Sequence, residues 1–212
     1  MNTENNKFKW VPIIISIFAL IISGITVWQN FFSPFCAQAV LASMMWKTEQ
    51  LQQKPGIPRV RSLIMVTEVH FINQGAKPGQ SDSFQILLER KADMKQWRFL
   101  PQVFITYGEF IRHLGQAGDR QARESIIDKV LEGPFNPPFL QSKQSLTRAI
   151  IFAPPSGFPF PVEEIKQGDY LLYFNWVKEE KSVHLQTLDF RITRDEMDII
   201  EEGKGLIVPI HR

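Results

Sequence analysis

The stretch WVPIIISIFALIISGITVW, Trp10 to Trp28, runs 19 residues without a charge. No other feature restricts the fold as strongly. At about 1.5 Å of rise per residue it makes a helix of roughly 28 Å, close to the apolar thickness of a bilayer. A helix in a soluble core carries a polar face, and this run has none. Trp10 and Trp28 stand at its two ends, where amphipathic rings favour the headgroup layer. Pro12 falls in the first turn, where its missing N–H removes no helical bond. Ser16, Ser23 and Thr26 can return their hydroxyls to backbone carbonyls inside lipid. A spanning helix over residues 10–28, with the lipid bilayer as its partner, is therefore expected.

The flanks orient it. Lys7 and Lys9 precede the run, and no charge follows Trp28 until Lys47. The positive-inside rule puts residues 1–9 in the cytoplasm and the rest outside, on a single-pass protein of the cell inner (plasma) membrane. The competing reading is a signal cut after Ala39, since Ala37-Gln38-Ala39 has the A-x-A form; a secreted domain would result. The apolar region of a signal is about 7–15 residues, shorter than this one. Cys36 follows Phe35, where a lipoprotein signal carries a small residue, so it reads as an ordinary thiol. It is the only cysteine, which excludes an internal disulfide and a cysteine-rich metal site.

The 24 basic and 22 acidic residues leave a net charge of +2. Binding a polyanion needs a dense basic face, so no nucleic acid is implied. Residues 29–58 read as a juxtamembrane segment. Within it CAQAVLASMMWKTEQLQQ, Cys36 to Gln53, is written in good helix formers and suits a short helix or the first strand region. Lys54 to Arg59, KPGIPR, breaks any helix.

Strand patterns then dominate. Arg61–Gly75 is dense in β-branched and large apolar residues and closes on Asn73-Gln74-Gly75, a turn signal. Ser83–Arg90 alternates, with Phe84, Ile86 and Leu88 on one face. Gln96–Tyr107 is another candidate, with Pro101 marking an edge or a bend, and Ser145–Ala153 a shorter one. The clearest unit is Gly168–Thr193. Tyr170, Leu172, Phe174 and Trp176 share one face, KEEK makes the turn, and Leu188, Phe190 and Ile192 alternate on the return: a β-hairpin with one buried side. Two helices interrupt. Asp119–Pro134 has an N-cap, an apolar stripe through Ile126, Val130 and Leu131, and a Gly133-Pro134 stop, giving a helical insertion over 119–133. Thr193–Gly203 opens with a Thr-x-x-Glu capping box and begins a C-terminal helix and tail over 194–212.

VHFINQGAKPGQ, Val69 to Gln80, resembles the strand ending in Asn-x-Gly of immunoglobulin-like β-sandwiches in bacterial membrane-anchored proteins. EIKQGDYLLYFNW, Glu164 to Trp176, resembles the Gly-x-Tyr entry to a late strand of such sandwiches. The resemblance implies an immunoglobulin-like β-sandwich over residues 59–193 and an outward location. It also implies that Tyr170 bonds back across a corner. The paired cysteines of antibody domains are absent, and the resemblance implies no activity.

Chemistry is hard to find. His70, His113, His184 and His211 form no metal-ligand spacing. There is no Gly-x-Ser-x-Gly elbow and no phosphate loop. The acidic run Asp195 to Glu202 lacks calcium-loop spacing. No cofactor or metal is implied. Two loops stand out, GPFNPPFL (Gly133 to Leu140) and APPSGFPFPVEE (Ala153 to Glu164). Proline stiffens both, so Phe135, Phe139, Phe158 and Phe160 would lose little entropy on meeting an envelope protein partner or the lipid surface. The preferred reading is that these rings fold back and cap the open ends of the sandwich. The expected function is a membrane-anchored, non-enzymatic interaction or structural module. An envelope enzyme using carboxylates in a cleft near the inserted helix is the alternative.

Overall fold

The computed structural model describes residues 10–51, 60–116, 130–155, 160–178, 181–202, 205–208 and 210. The chain is mainly β behind one apolar helix. Helix α1 spans Trp10–Val27 and runs into a π-helical turn, Trp28–Phe32; none of the side chains of α1 is buried. Ser16 and Thr26 donate to the carbonyls of Pro12 and Ile22, each at 2.8 Å, so their hydroxyls are satisfied within the helix.

Among the described residues eleven strands follow: β1 Ala37–Leu51, β2 Val60–Asn73, β3 Gly79–Gln80, β4 Ser83–Arg90, β5 Lys95–Ile105, β6 Leu131–Pro134, β7 Phe139–Leu140, β8 Ser145–Ala153, β9 Gly168–Lys178, β10 Lys181–Ile192 and β11 Leu206–Val208. Helix α2, Tyr107–Gln116, follows β5, and α3, Arg194–Glu201, follows β10. Nine strands make one antiparallel sheet in the order β10-β9-β4-β5-β8-β2-β1-β11, with β6 on β5; β3 and β7 pair separately.

The expected mainly β body behind an apolar helix is present. The immunoglobulin-like form does not emerge from the pairing, because β5 joins the two halves in one ladder. Its first half pairs with β4, from Arg90↔Lys95 to Ile86↔Phe99, and its second half with β8, from Leu100↔Ala153 to Ile105↔Ala149. A bulge between Pro101 and Val103 lets it bend from one half to the other. Proline cannot donate to a ladder, so it settles at such a bulge.

The sheet curls into a half-barrel until its two edges approach. Leu41 N–H donates to the Gln186 side chain at 3.1 Å, across from β1 to β10. Inside the curl, every second residue of the long strands meets its counterpart. Trp46 lies edge-on to Tyr170 and Phe190, Phe71 tilts against Phe84, and Phe152 lies edge-on to Phe174. Such aromatic pairs add about 0.5–1.5 kcal/mol each beyond their burial. A second, outer cluster lies where α2 covers the convex side: Phe110 packs with Met45, Ile64, Val66, Ile105 and Ile151.

Several expectations shift. Residues 37–51, read as juxtamembrane, form β1, whose ladder with β2 runs from Ala37↔Asn73 to Leu51↔Val60. The sheet thus begins well before residue 59. The helix expected over 119–133 lies mostly outside the described residues, and its last part, Leu131–Pro134, is strand β6. Within the described residues α2 packs on the outer face of the sheet, and α3 buries Ile200 in the main core, its carbonyl accepting from the Thr48 hydroxyl at 3.1 Å. At the other end Thr193 caps α3 as expected: its hydroxyl accepts from Glu196 N–H, and the Glu196 carboxylate accepts from Thr193 N–H at 2.7 Å.

Candidate functional site

Strand direction sorts the loops into two ends. The chain enters from α1 at Ala37, beside Asn73 and Ser145; this near end also holds Ser83 and the β9–β10 turn. The far end holds Leu51, the β4–β5 turn, Ala153 and Ile192. The two phenylalanine-proline loops therefore lie at opposite ends and do not form one patch. GPFNPPFL is at the near end, since its strand β7 pairs with β3. APPSGFPFPVEE is at the far end, beyond β8.

The four phenylalanines have different fates. Phe160 is 1% exposed, its ring 4.4 Å from that of Trp97 and 6.0 Å from that of Phe99. Phe135 is half-buried against Phe84 and Phe104, at 6.1 and 5.2 Å. These two rings fold back on the body, so neither is free for a partner. Phe158 lies outside the described residues. Phe139 alone of the three described rings points outward, at 57% exposure.

Trp10 and Trp28 are exposed on the helix, at 66% and 59%. Lys7 and Lys9 lie outside the described residues. The stretch from Trp10 to Phe32 is long and apolar enough to cross a membrane. Phe31 and Phe32 extend its exposed apolar surface past Trp28.

Between this helix and the sheet lies a tightly bonded junction, which the sequence pattern only hinted at through Asn73-Gln74-Gly75. Asn73 is 1% exposed and all its side-chain capacity is used. Its Oδ1 accepts from Gly75 N–H at 2.9 Å and Cys36 N–H at 3.3 Å, while its Nδ2 donates to the carbonyls of Lys77 and Gln141 at 2.9 and 2.8 Å. Gln74 N–H donates to Cys36 O, and Ala76 N–H to Ser33 O. Gly75 is glycine because no side chain fits: a Cβ there would sit 1.9 Å from Pro34 O. The helix is thus bonded to the body within a few residues of its last turn.

At the far end Tyr170 is fully buried, and its hydroxyl donates to Lys166 O at 2.8 Å while accepting from Lys166 N–H at 3.1 Å. Gly168, at φ +149°, makes the entry to β9 in a conformation that side-chain-bearing residues avoid. Above it Arg90, nearly buried, forks onto Asp93 at 2.9 and 2.5 Å, donates to Glu164 O at 2.8 Å and lies over the Trp97 ring. The Asp93 carboxylate raises the Arg90 pKa further, and the guanidinium in turn holds the Asp93 carboxyl down at about 2. This cluster closes the far mouth of the curl.

The histidines serve strands. His70 bonds Thr147 at 2.6 Å, and His184 bonds Asn175 and Thr187; the His113 side chain and His211 lie outside the described residues. Among the described residues no three His, Cys, Asp or Glu side chains converge as a metal site would require. One carboxylate there is buried, Glu89, bonded to Gln96 at 2.5 Å. No protein-family model, curated protein or solved structure matches the chain.

Proposed function

We propose that this is a single-pass membrane protein. Its β body works outside the cytoplasm as a non-enzymatic interaction or structural module, held close to the envelope membrane. Residues before the helix face the cytoplasm, and lipid covers residues 10–28 and the aromatic turn that follows. The observation that carries this reading is an uncharged helix with no buried side chain, joined by hydrogen bonds to a body with a filled interior. A helix of that composition is stable where lipid replaces water around it. The two halves of the curled sheet face each other across aromatic rings, which supports a sandwich-like body of the immunoglobulin-like kind. A filled interior leaves the outer surfaces and ends for contact with an envelope protein partner.

The experiment is alkaline carbonate extraction of membranes from cells making the full chain, followed by mass measurement of the retained protein. A retained anchor leaves the protein in the pellet with residues 10–39 present. A soluble product beginning at Val40 would replace this reading with a secreted domain.

A further inference from the structure

We infer that Phe139, the first residue of β7, rests in the outer headgroup layer of the same bilayer that holds α1, as a second and shallow lipid contact. This rests on the membrane-anchor reading above.

Reach comes first. Gly79, which pairs with Leu140, lies so close to the Phe35 ring that a Cβ on it would meet the ring at 2.6 Å. Phe35 is three residues beyond Phe32, the last residue of the helical turn, so the two are at most about 11 Å apart along the chain. Phe31 and Phe32 are 71% and 56% exposed at the end of the helix, the position at which aromatic rings settle in the interface. Phe139, next to Leu140 on this strand, is therefore on the end of the body that adjoins the rings marking the interface.

The way the loop is held argues against a ring that is exposed by chance. Leu140 is fully buried, and strand alternation turns its neighbour Phe139 outward. Pro137 and Pro138 stiffen the approach, and their carbonyls accept from the Gln80 side chain at 3.1 Å and Ser81 N–H at 3.0 Å. Little entropy remains to be lost on contact. Lys77 and Lys143 are exposed on the same end, and Lys143 Nζ reaches the Gln74 carbonyl at 2.6 Å. Both cations suit phosphate-bearing headgroups. Because α1 already tethers the body, even one ring and two lysines act at high effective concentration.

The test uses the full chain in phosphatidylcholine vesicles, with Cys36→Ser to remove the native thiol. Phe139→Cys carries an environment-sensitive fluorophore, and Met94→Cys, on the far turn, carries the same label as control. Lipid contact gives a blue-shifted emission at 139. A doxyl group high on the acyl chain quenches that emission and one near the methyl end quenches it less, while the label at 94 responds to neither. Equal, water-like emission at both positions in protein that resists carbonate overturns the lipid contact and leaves the anchor standing. Release of the chain by carbonate overturns the anchor itself.

Discussion

Replacing Gly75 by alanine should loosen the seam between helix and sheet. The new methyl carbon would fall 1.9 Å from Pro34 O, 2.8 Å from Pro34 C and 2.9 Å from Cys36 N. All three are backbone atoms, so no side chain can swing aside. The segment from Ser33 to Cys36 must move away from the turn after β2. That motion breaks up to three bonds: Gln74 N–H to Cys36 O at 2.8 Å, Ala76 N–H to Ser33 O at 3.1 Å, and Cys36 N–H to Asn73 Oδ1 at 3.3 Å. At about 1 kcal/mol net for each bond, the loss is about 2–3 kcal/mol. For a chain of this size that lowers the midpoint of thermal unfolding by roughly 5–10 °C. Near-ultraviolet circular dichroism of detergent-solubilised protein follows it, since Trp46 is fully buried against the perpendicular ring of Phe190. Limited proteolysis at Pro34–Cys36 should speed up in parallel. Gly108→Ala is the control: nothing lies within 4 Å of its Cβ, and in α2 it should be neutral or stabilising by up to about 1 kcal/mol. A Gly75→Ala protein that unfolds within about 0.5 kcal/mol of the parent, the ordinary range for surface changes, refutes the bonded junction.

Two further outcomes are expected. Tyr170→Phe removes a hydroxyl that both accepts from and donates to Lys166, and urea unfolding should show a loss of about 1–2 kcal/mol, without change in far-ultraviolet signal. Asp93 is held at about 2 by Arg90, below its ordinary value near 4, so its contribution is full above about pH 4 and fades as pH falls towards 2. Melting curves across that window should therefore show a steeper decline for the parent than for Asp93→Asn; parallel curves would remove Asp93 from the far-end cluster.

Parts of this fold were legible because burial and alternation agree. Phe84, Ile86 and Leu88 are each fully buried on one face of β4, and the hairpin from Gly168 forms with Leu172 opposite Leu188. β1 was ambiguous for a physical reason. Its Ala, Met, Gln and Glu favour a helix locally, but pairing with β2 along its whole length and with β11 from Met44 to Trp46 overrides that preference. Ala39, Leu41, Met44 and Trp46, all nearly or fully buried, carry the period of a strand only after the bulge between Leu41 and Ser43 is allowed for. Helix α2 left little trace, since Thr106, the residue ahead of it, turns its hydroxyl to Glu132 rather than to the helix. The fates of the phenylalanines followed long-range packing: Phe160 found Trp97, far away in sequence, while Phe139 stays more than half exposed. Only the turn at Asn73 was legible; the junction it ties was not, because its other partners, Cys36 and Gln141, are distant in sequence.

The chain offers its own topology probe in Cys36, a single exposed thiol four residues beyond the aromatic turn. Spheroplasts expressing the unmodified protein are treated with a membrane-impermeant maleimide, and the carbonate-insoluble fraction is analysed by mass. A body outside the cytoplasm gives full labelling of Cys36 on intact spheroplasts, on a polypeptide that still contains Trp10–Trp28. Labelling that appears only after lysis would put the body on the cytoplasmic side and contradict that placement.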